Sequence, residues 1–164
     1  MITAPASNSL LDRLEMGFAD QAGGAVILVV LTLWVQCAGM GVLIYLTKTF
    51  IERSTAKLGT WRSALLMVRF AGAMTVLHIL EILLWAWFYR WKCFPSWETS
   101  FYFSTASYTT VGYGDVLLPQ FWRPLGPIES LIGILMCGMS VSGQFAILTR
   151  ILAAEDRPPA GRST

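Results

Sequence analysis

The sequence predicts an all-α membrane protein: three transmembrane helices, with a short re-entrant helix and an extended, Gly-containing strand between the second and third. Three observations predict it. Of 164 residues, 55% are hydrophobic and only 13% charged, where ordinary soluble domains carry about 25% charged residues. Three apolar segments are each long enough to cross a bilayer, which takes about 20 residues. A fourth apolar run is too short to cross. Helices are expected because an isolated strand leaves its backbone unsatisfied in lipid.

The same composition excludes other classes. A formal net charge of +2 is too small to point to nucleic acid, so membrane lipid is the expected surrounding partner. Cys37, Cys93 and Cys137 fall at no paired spacing, and neither a disulfide framework nor a zinc site is expected. The first 22 residues lack the basic start and apolar stretch of a signal peptide.

The elements follow in order. Residues 1–23 form an N-terminal segment in which Leu10, Leu11, Leu14 and Phe18 share a helical face. That face reads equally as a helix lying on the membrane surface or as a tail packed loosely on the bundle. Residues 24–47 make the first span, within a charge-free window from Gln21 to Thr47. The loop 48–63 carries Lys48, Arg53, Lys57 and Arg62 against Glu52, whereas the N-terminal segment carries Arg13 against Asp12, Glu15 and Asp20. Loops rich in Lys and Arg stay in the cytoplasm, so the N-terminus is expected outside and the C-terminus cytoplasmic. Arg90, Lys92 and Arg123, on the outer side, weaken this assignment without reversing it.

Residues 64–89 make the second span, interrupted by Arg69, His78 and Glu81. The region 90–126 holds a helix at 96–108, with Ser96 as N-cap and Glu98 in the favourable first turn. Twelve residues cannot cross the hydrocarbon core, so this helix enters and leaves from the outer side. The third span, 127–150, has no charge between Glu129 and Arg150. Pro127 suits the first helical position, and Glu129 the positive end of the helix. Residues 151–164 are polar and Pro-rich, as in a disordered tail, and are expected to be too short for a ligand-binding domain.

Between the short helix and the last span runs Thr109-Thr110-Val111-Gly112-Tyr113-Gly114-Asp115. Consecutive backbone carbonyls plus one threonine hydroxyl supply hard oxygen ligands without fixed charge, as a dehydrating alkali cation needs. Aiming successive carbonyls the same way requires alternating right- and left-handed backbone. Gly112 and Gly114 can take the left-handed positions without a Cβ clash. Val111 and Tyr113 can then turn away from the ion, and Thr110 offers both hydroxyl and carbonyl.

With these residues in place, 78–150 resemble the pore domain of the potassium channel family, including the small bacterial pore-loop channels: outer helix, pore helix 96–108, filter 109–115, inner helix. The resemblance covers a little under half of the chain. It implies a homotetramer of this chain and three further copies, since four such loops ring one filter. It implies a bacterial inner-membrane protein that passes potassium ions, with no cofactor. Thr110, Val111, Gly112, Tyr113 and, more weakly, Gly114 would coordinate potassium, and Asp115 and Thr109 would brace the filter from behind. Several relatives carry a Trp pair and a Glu in the pore helix where this chain has Tyr102, Phe103 and Ala106, so the brace around Asp115 must differ. A non-conducting subunit of a partner channel and a poorly selective cation pore are the rival readings.

The remaining candidates concern gating. Gly138 reads as a hinge, by resemblance, or as small-residue packing with Gly133, Ser142 and Gly143. Met136, Met139 and Gln144 line a cavity or contact core and lipid. His78 and Glu81 stand three residues apart on one helix face, and an ionisable side chain inside a membrane is a functional candidate: a pH sensor, or for Glu81 a brace behind the pore helix. No nucleophile or metal set accompanies them, so no enzymatic activity is expected. Neither of the first two spans repeats arginine at every third position, so no voltage sensor is expected.

Overall fold

In the computed structural model the backbone is described for residues 6–53 and 59–155, and side chains for 21–51, 59 and 61–153. Among the described residues four α-helices follow in order: α1 (Ala6–Arg53), α2 (Thr60–Lys92), α3 (Trp97–Tyr108) and α4 (Leu125–Glu155). A single 3-10 turn, Gln120–Trp122, precedes α4. Three segments among the described residues are long and apolar enough to cross a membrane: Gln21–Ile51, Trp61–Lys92 and Gln120–Ala153. At 1.5 Å per residue, the 31 residues of the first reach about 46 Å, more than the roughly 30 Å hydrocarbon core. The 12 residues of α3 reach only about 18 Å.

Several boundaries differ from the sequence expectation. The backbone of α1 is continuous from residue 6, through both the expected N-terminal segment and the first span. The apolar face of residues 9–18 lies outside the described side chains. The expected loop 48–63 shortens, because Lys48–Arg53 continue α1 and Thr60 opens α2. No Pro interrupts either end, and Lys, Arg and Glu are good helix formers. Lys57 and the tail 156–164 lie outside the described residues. Pro127 is not the first residue of α4 but its third. A proline is tolerated there because the first four N–H groups of a helix have no intrahelical acceptor anyway.

Contacts group the chain into two units, Met1–Trp34 with Glu81–Ile134, and Val35–Leu80 with Leu135–Thr164. In the first, Ala25, Leu28, Trp85, Phe88, Tyr89, Leu118 and Leu125 form a buried core. Aromatic edges meet there: Tyr89 stands perpendicular to Phe103 at 5.1 Å, and Phe88 is T-shaped on Trp122 at 5.4 Å. Trp85 Nε1 donates to Thr32 Oγ1 at 2.9 Å, so the indole is buried without losing its hydrogen bond. Gln21 Nε2 donates to the Phe121 carbonyl.

In the second unit, Leu66, Phe70, Met74, Leu77, Ile147 and Ile151 are the buried core. Leu66, Phe70, Met74 and Leu77 recur at three- and four-residue steps, one face of a helix. Helices in lipid gain little from apolar burial against each other and are held by close packing and interhelical hydrogen bonds. The polar buried groups in each unit therefore carry information that the apolar ones do not.

Candidate functional site

The site is built from α3 outward. Ser96 adopts extended backbone (φ −124°, ψ 147°) and its Oγ accepts from the Thr99 N–H at 3.1 Å, satisfying one of the helix's open donors. The buried face of α3 is Ser100, Ser104, Ser107 and Tyr108. It is polar, and its hydroxyls and carbonyls find directional partners. Ser104 Oγ lies 2.9 Å from the Ile82 carbonyl and 2.6 Å from Glu129 Oε1. Tyr89 OH donates to Glu129 Oε2 at 2.9 Å. Ser130 Oγ donates to the Ser107 carbonyl at 2.7 Å, and Tyr108 OH donates to Glu81 Oε2. Both Glu81 and Glu129 are fully buried.

The chain leaves α3 through a left-handed residue. Thr109 caps the helix, and Thr110 follows with φ +61°, the position at which many helices place a glycine. Thr110 N–H donates to the Ser107 carbonyl at 2.9 Å, and Gly112 N–H to the Ala106 carbonyl at 3.0 Å. The expected strand forms no β-structure among the described residues; it is a turn and extended segment tied to the last turn of α3. Gly112 (φ +53°) and Gly114 (φ +77°) repeat the left-handed conformation, so it recurs at 110, 112 and 114, and Thr110 is the one non-glycine with positive φ among the described residues. A β-branched residue there stores on the order of 1–3 kcal/mol of strain. Backbone alternation of this kind turns successive carbonyls toward one side.

Asp115 closes the segment. Its Oδ2 accepts from Tyr102 OH at 2.8 Å and its Oδ1 from the Val116 N–H at 3.1 Å. Tyr102 therefore supplies a partner for Asp115 where Ala106 supplies none. That hydrogen bond holds the Tyr102 phenol above its ordinary pKa of 10.0. Val111 and Tyr113 are 51% and 73% exposed, so their own chain leaves both side chains largely uncovered.

Residues 75–150, which contain all of this geometry, match the family model described as ion channel (Ion_trans_2). The match covers a little under half of the chain, and over it the segment is similar to ion channels. Among the described residues three helices are long and apolar enough to cross a membrane, which together with the match supports a multi-pass membrane protein that takes part in ion transport. No curated protein and no solved structure matches the chain.

The remaining candidates separate. The strand 109–115 and Glu81 meet through Tyr108. His78, three residues before Glu81, meets a different helix: its Nε2 lies 2.9 Å from Ser140 Oγ. Gln36 joins it, donating to Ser140 Oγ at 2.9 Å and to the Met136 carbonyl at 3.1 Å. Met136 is fully buried within the chain, so it lines no cavity, while Met139 and Gln144 are half-buried. A Cβ on Gly138 would meet nothing within 4 Å, whereas one on Gly133 would overlap the Tyr108 carbonyl and one on Gly143 would stand 2.8 Å from Met40 Sδ. Close packing within one chain explains Gly133 and Gly143, not Gly138.

Sequence reasoning missed four features: Tyr102 as partner of Asp115, the Glu129–Ser104–Tyr89 link, the left-handed Thr110, and Gln36. A signal existed for two of them. Gln36 is an amide inside an apolar span, and Glu129 is a carboxyl near the start of another. Both are costly in hydrocarbon unless hydrogen-bonded.

Proposed function

We propose that the chain is one subunit of a potassium-selective channel, four copies of which surround a single axis with Thr110–Gly114 as the filter. The observation that carries this reading is the left-handed backbone at 110, 112 and 114 within TTVGYGD, in a domain matching the ion channel family. A single copy lines only one side of an ion's coordination shell, so closure needs further copies. The exposed Val111 and Tyr113 side chains fit the same requirement, since neighbouring subunits are what would cover them.

On this reading α3 is the pore helix, and α2 and α4 are the outer and inner helices. The open carbonyls at the C-terminal end of α3 carry partial negative charge and favour a cation below the filter. A potassium ion exchanges its water for the carbonyls of Thr110, Val111, Gly112 and Tyr113 and the Thr110 hydroxyl, with Gly114 at the outer end. Asp115 is held by Tyr102, and Thr109 by its own Oγ1, which donates to the Thr105 carbonyl at 2.7 Å. Potassium is the permeant ion, no cofactor takes part, and transport is passive. The Lys and Arg distribution favours the N-terminus outside and the C-terminus in the cytoplasm of a bacterial inner membrane.

The test is flux from purified protein in liposomes under an outward potassium gradient, reported by voltage-driven proton uptake. Barium-blocked potassium flux with little response to a sodium gradient is the expected result. Equal potassium and sodium flux rejects the reading.

A further inference from the structure

We propose that Glu129 is a positioning residue for permeation: through Ser104 it fixes the rotation and depth of α3, and with them the Thr110–Gly114 strand. The inference rests on the proposed filter and concerns what holds it.

Glu129 belongs to α4, and its two carboxyl oxygens serve two other helices. Oε1 lies 2.6 Å from Ser104 Oγ on α3, and Oε2 accepts from Tyr89 OH of α2 at 2.9 Å. The side chain is completely buried. A carboxyl in such a place costs free energy that leucine or methionine of similar volume would not. Filling space does not account for it. A link between three helices does, because hydrogen bonds specify direction where apolar contacts allow sliding.

The direction specified is that of α3. Ser104 and Tyr108 lie one turn apart on its buried face, the first held by Glu129 and the second by Glu81. Between them the Ser107 carbonyl receives the Ser130 hydroxyl, again from α4. From there the N–H groups of Thr109, Thr110 and Gly112 bond to carbonyls of Thr105, Ser107 and Ala106, tying the first half of the segment to the last turn of α3. A rotation of α3 is therefore a displacement of the strand. Functional geometry of this kind tolerates about 0.5 Å.

Glu129→Leu and Glu129→Gln separate the link from the packing. Glutamine retains an oxygen for Tyr89 OH and places an amide donor at Ser104 Oγ, whose own proton can go to the Ile82 carbonyl 2.9 Å away. The readouts are the potassium-to-sodium permeability ratio in liposomes and the assembly state by size. For Glu129→Leu we expect intact assembly and a permeability ratio lowered on the order of tenfold, with Glu129→Gln close to the parent. Should the leucine variant not assemble, Ser104→Ala removes the α3 end of the link alone and is expected to lower the ratio without altering assembly. A ratio unchanged in assembled Glu129→Leu or in Ser104→Ala, or lost equally in Glu129→Gln, overturns the inference. If the parent protein itself does not prefer potassium, it is the proposed function that fails, and the inference with it.

Discussion

Gly133→Ala isolates the contact between α4 and the end of α3. A Cβ at Gly133 would overlap the Tyr108 carbonyl oxygen and stand 3.0 Å from its carbon and 3.2 Å from its Cα. All three are backbone atoms, so no side-chain rotation relieves the clash. Either α4 moves away or the last turn of α3 does. Overpacking one methyl group against a fixed wall typically costs 1–3 kcal/mol, about a 5- to 150-fold change in the unfolding equilibrium. Gly72→Ala is the matched control, since a Cβ there meets nothing within 4 Å and alanine gains roughly 1 kcal/mol over glycine in a helix interior. The assay is reversible unfolding in mixed detergent micelles, run beside potassium flux. Gly133→Ala is expected to lose stability and flux together while Gly72→Ala loses neither. Equal stability and flux in the two variants would refute the argument that this approach sets the position of α3.

Further expectations concern individual side chains. Tyr102→Phe removes the hydroxyl that Asp115 accepts, so flux should decay faster under sustained gradient, with assembly unchanged by size analysis. Because that hydrogen bond raises the Tyr102 pKa, its stabilisation is complete below the ordinary value of 10.0 and is lost as pH climbs through the higher folded value; the selectivity of the parent should stay flat across neutral pH. Burial pushes the Cys93 thiol from 9.0 to about 11, so in a Cys37→Ser, Cys137→Ser background maleimide labelling near neutral pH should be roughly tenfold slower than for an unperturbed thiol, the smaller thiolate fraction being partly offset by its greater nucleophilicity, as a stopped labelling series would measure. Gln36→Leu deletes two hydrogen bonds between α1 and α4 and should cost about 1 kcal/mol in the same unfolding assay, a loss that a stability equal to the parent's would contradict.

The apolar spans were readable from composition because lipid demands long uncharged runs, and α3 from its length, its cap at Ser96 and its first-turn Glu98. The strand was readable because Gly112 and Gly114 mark the places where a Cβ is unwelcome. Thr110 was not, since nothing in a threonine announces positive φ; the C-terminal turn of α3 imposes it. The anchoring of α3 was hidden for a different reason. Its buried face is serine and tyrosine, which hydropathy scores as surface, and their partners Glu81, Ile82, Glu129 and Ser130 come from two other helices. Glu129 looked like a helix-end charge, and only the packing reveals its carboxyl between Ser104 and Tyr89. Likewise the three-residue spacing put His78 and Glu81 on one helix face, yet their partners differ: His78 meets Ser140, and Glu81 meets Tyr108 at the end of α3.

The most direct measurement is an electron cryomicroscopy image of the purified particle in potassium. The expected image has four copies with their 110–114 segments facing one axis, carbonyls inward, and ion density along it. Strands separated from one another, or turned toward lipid, would contradict it.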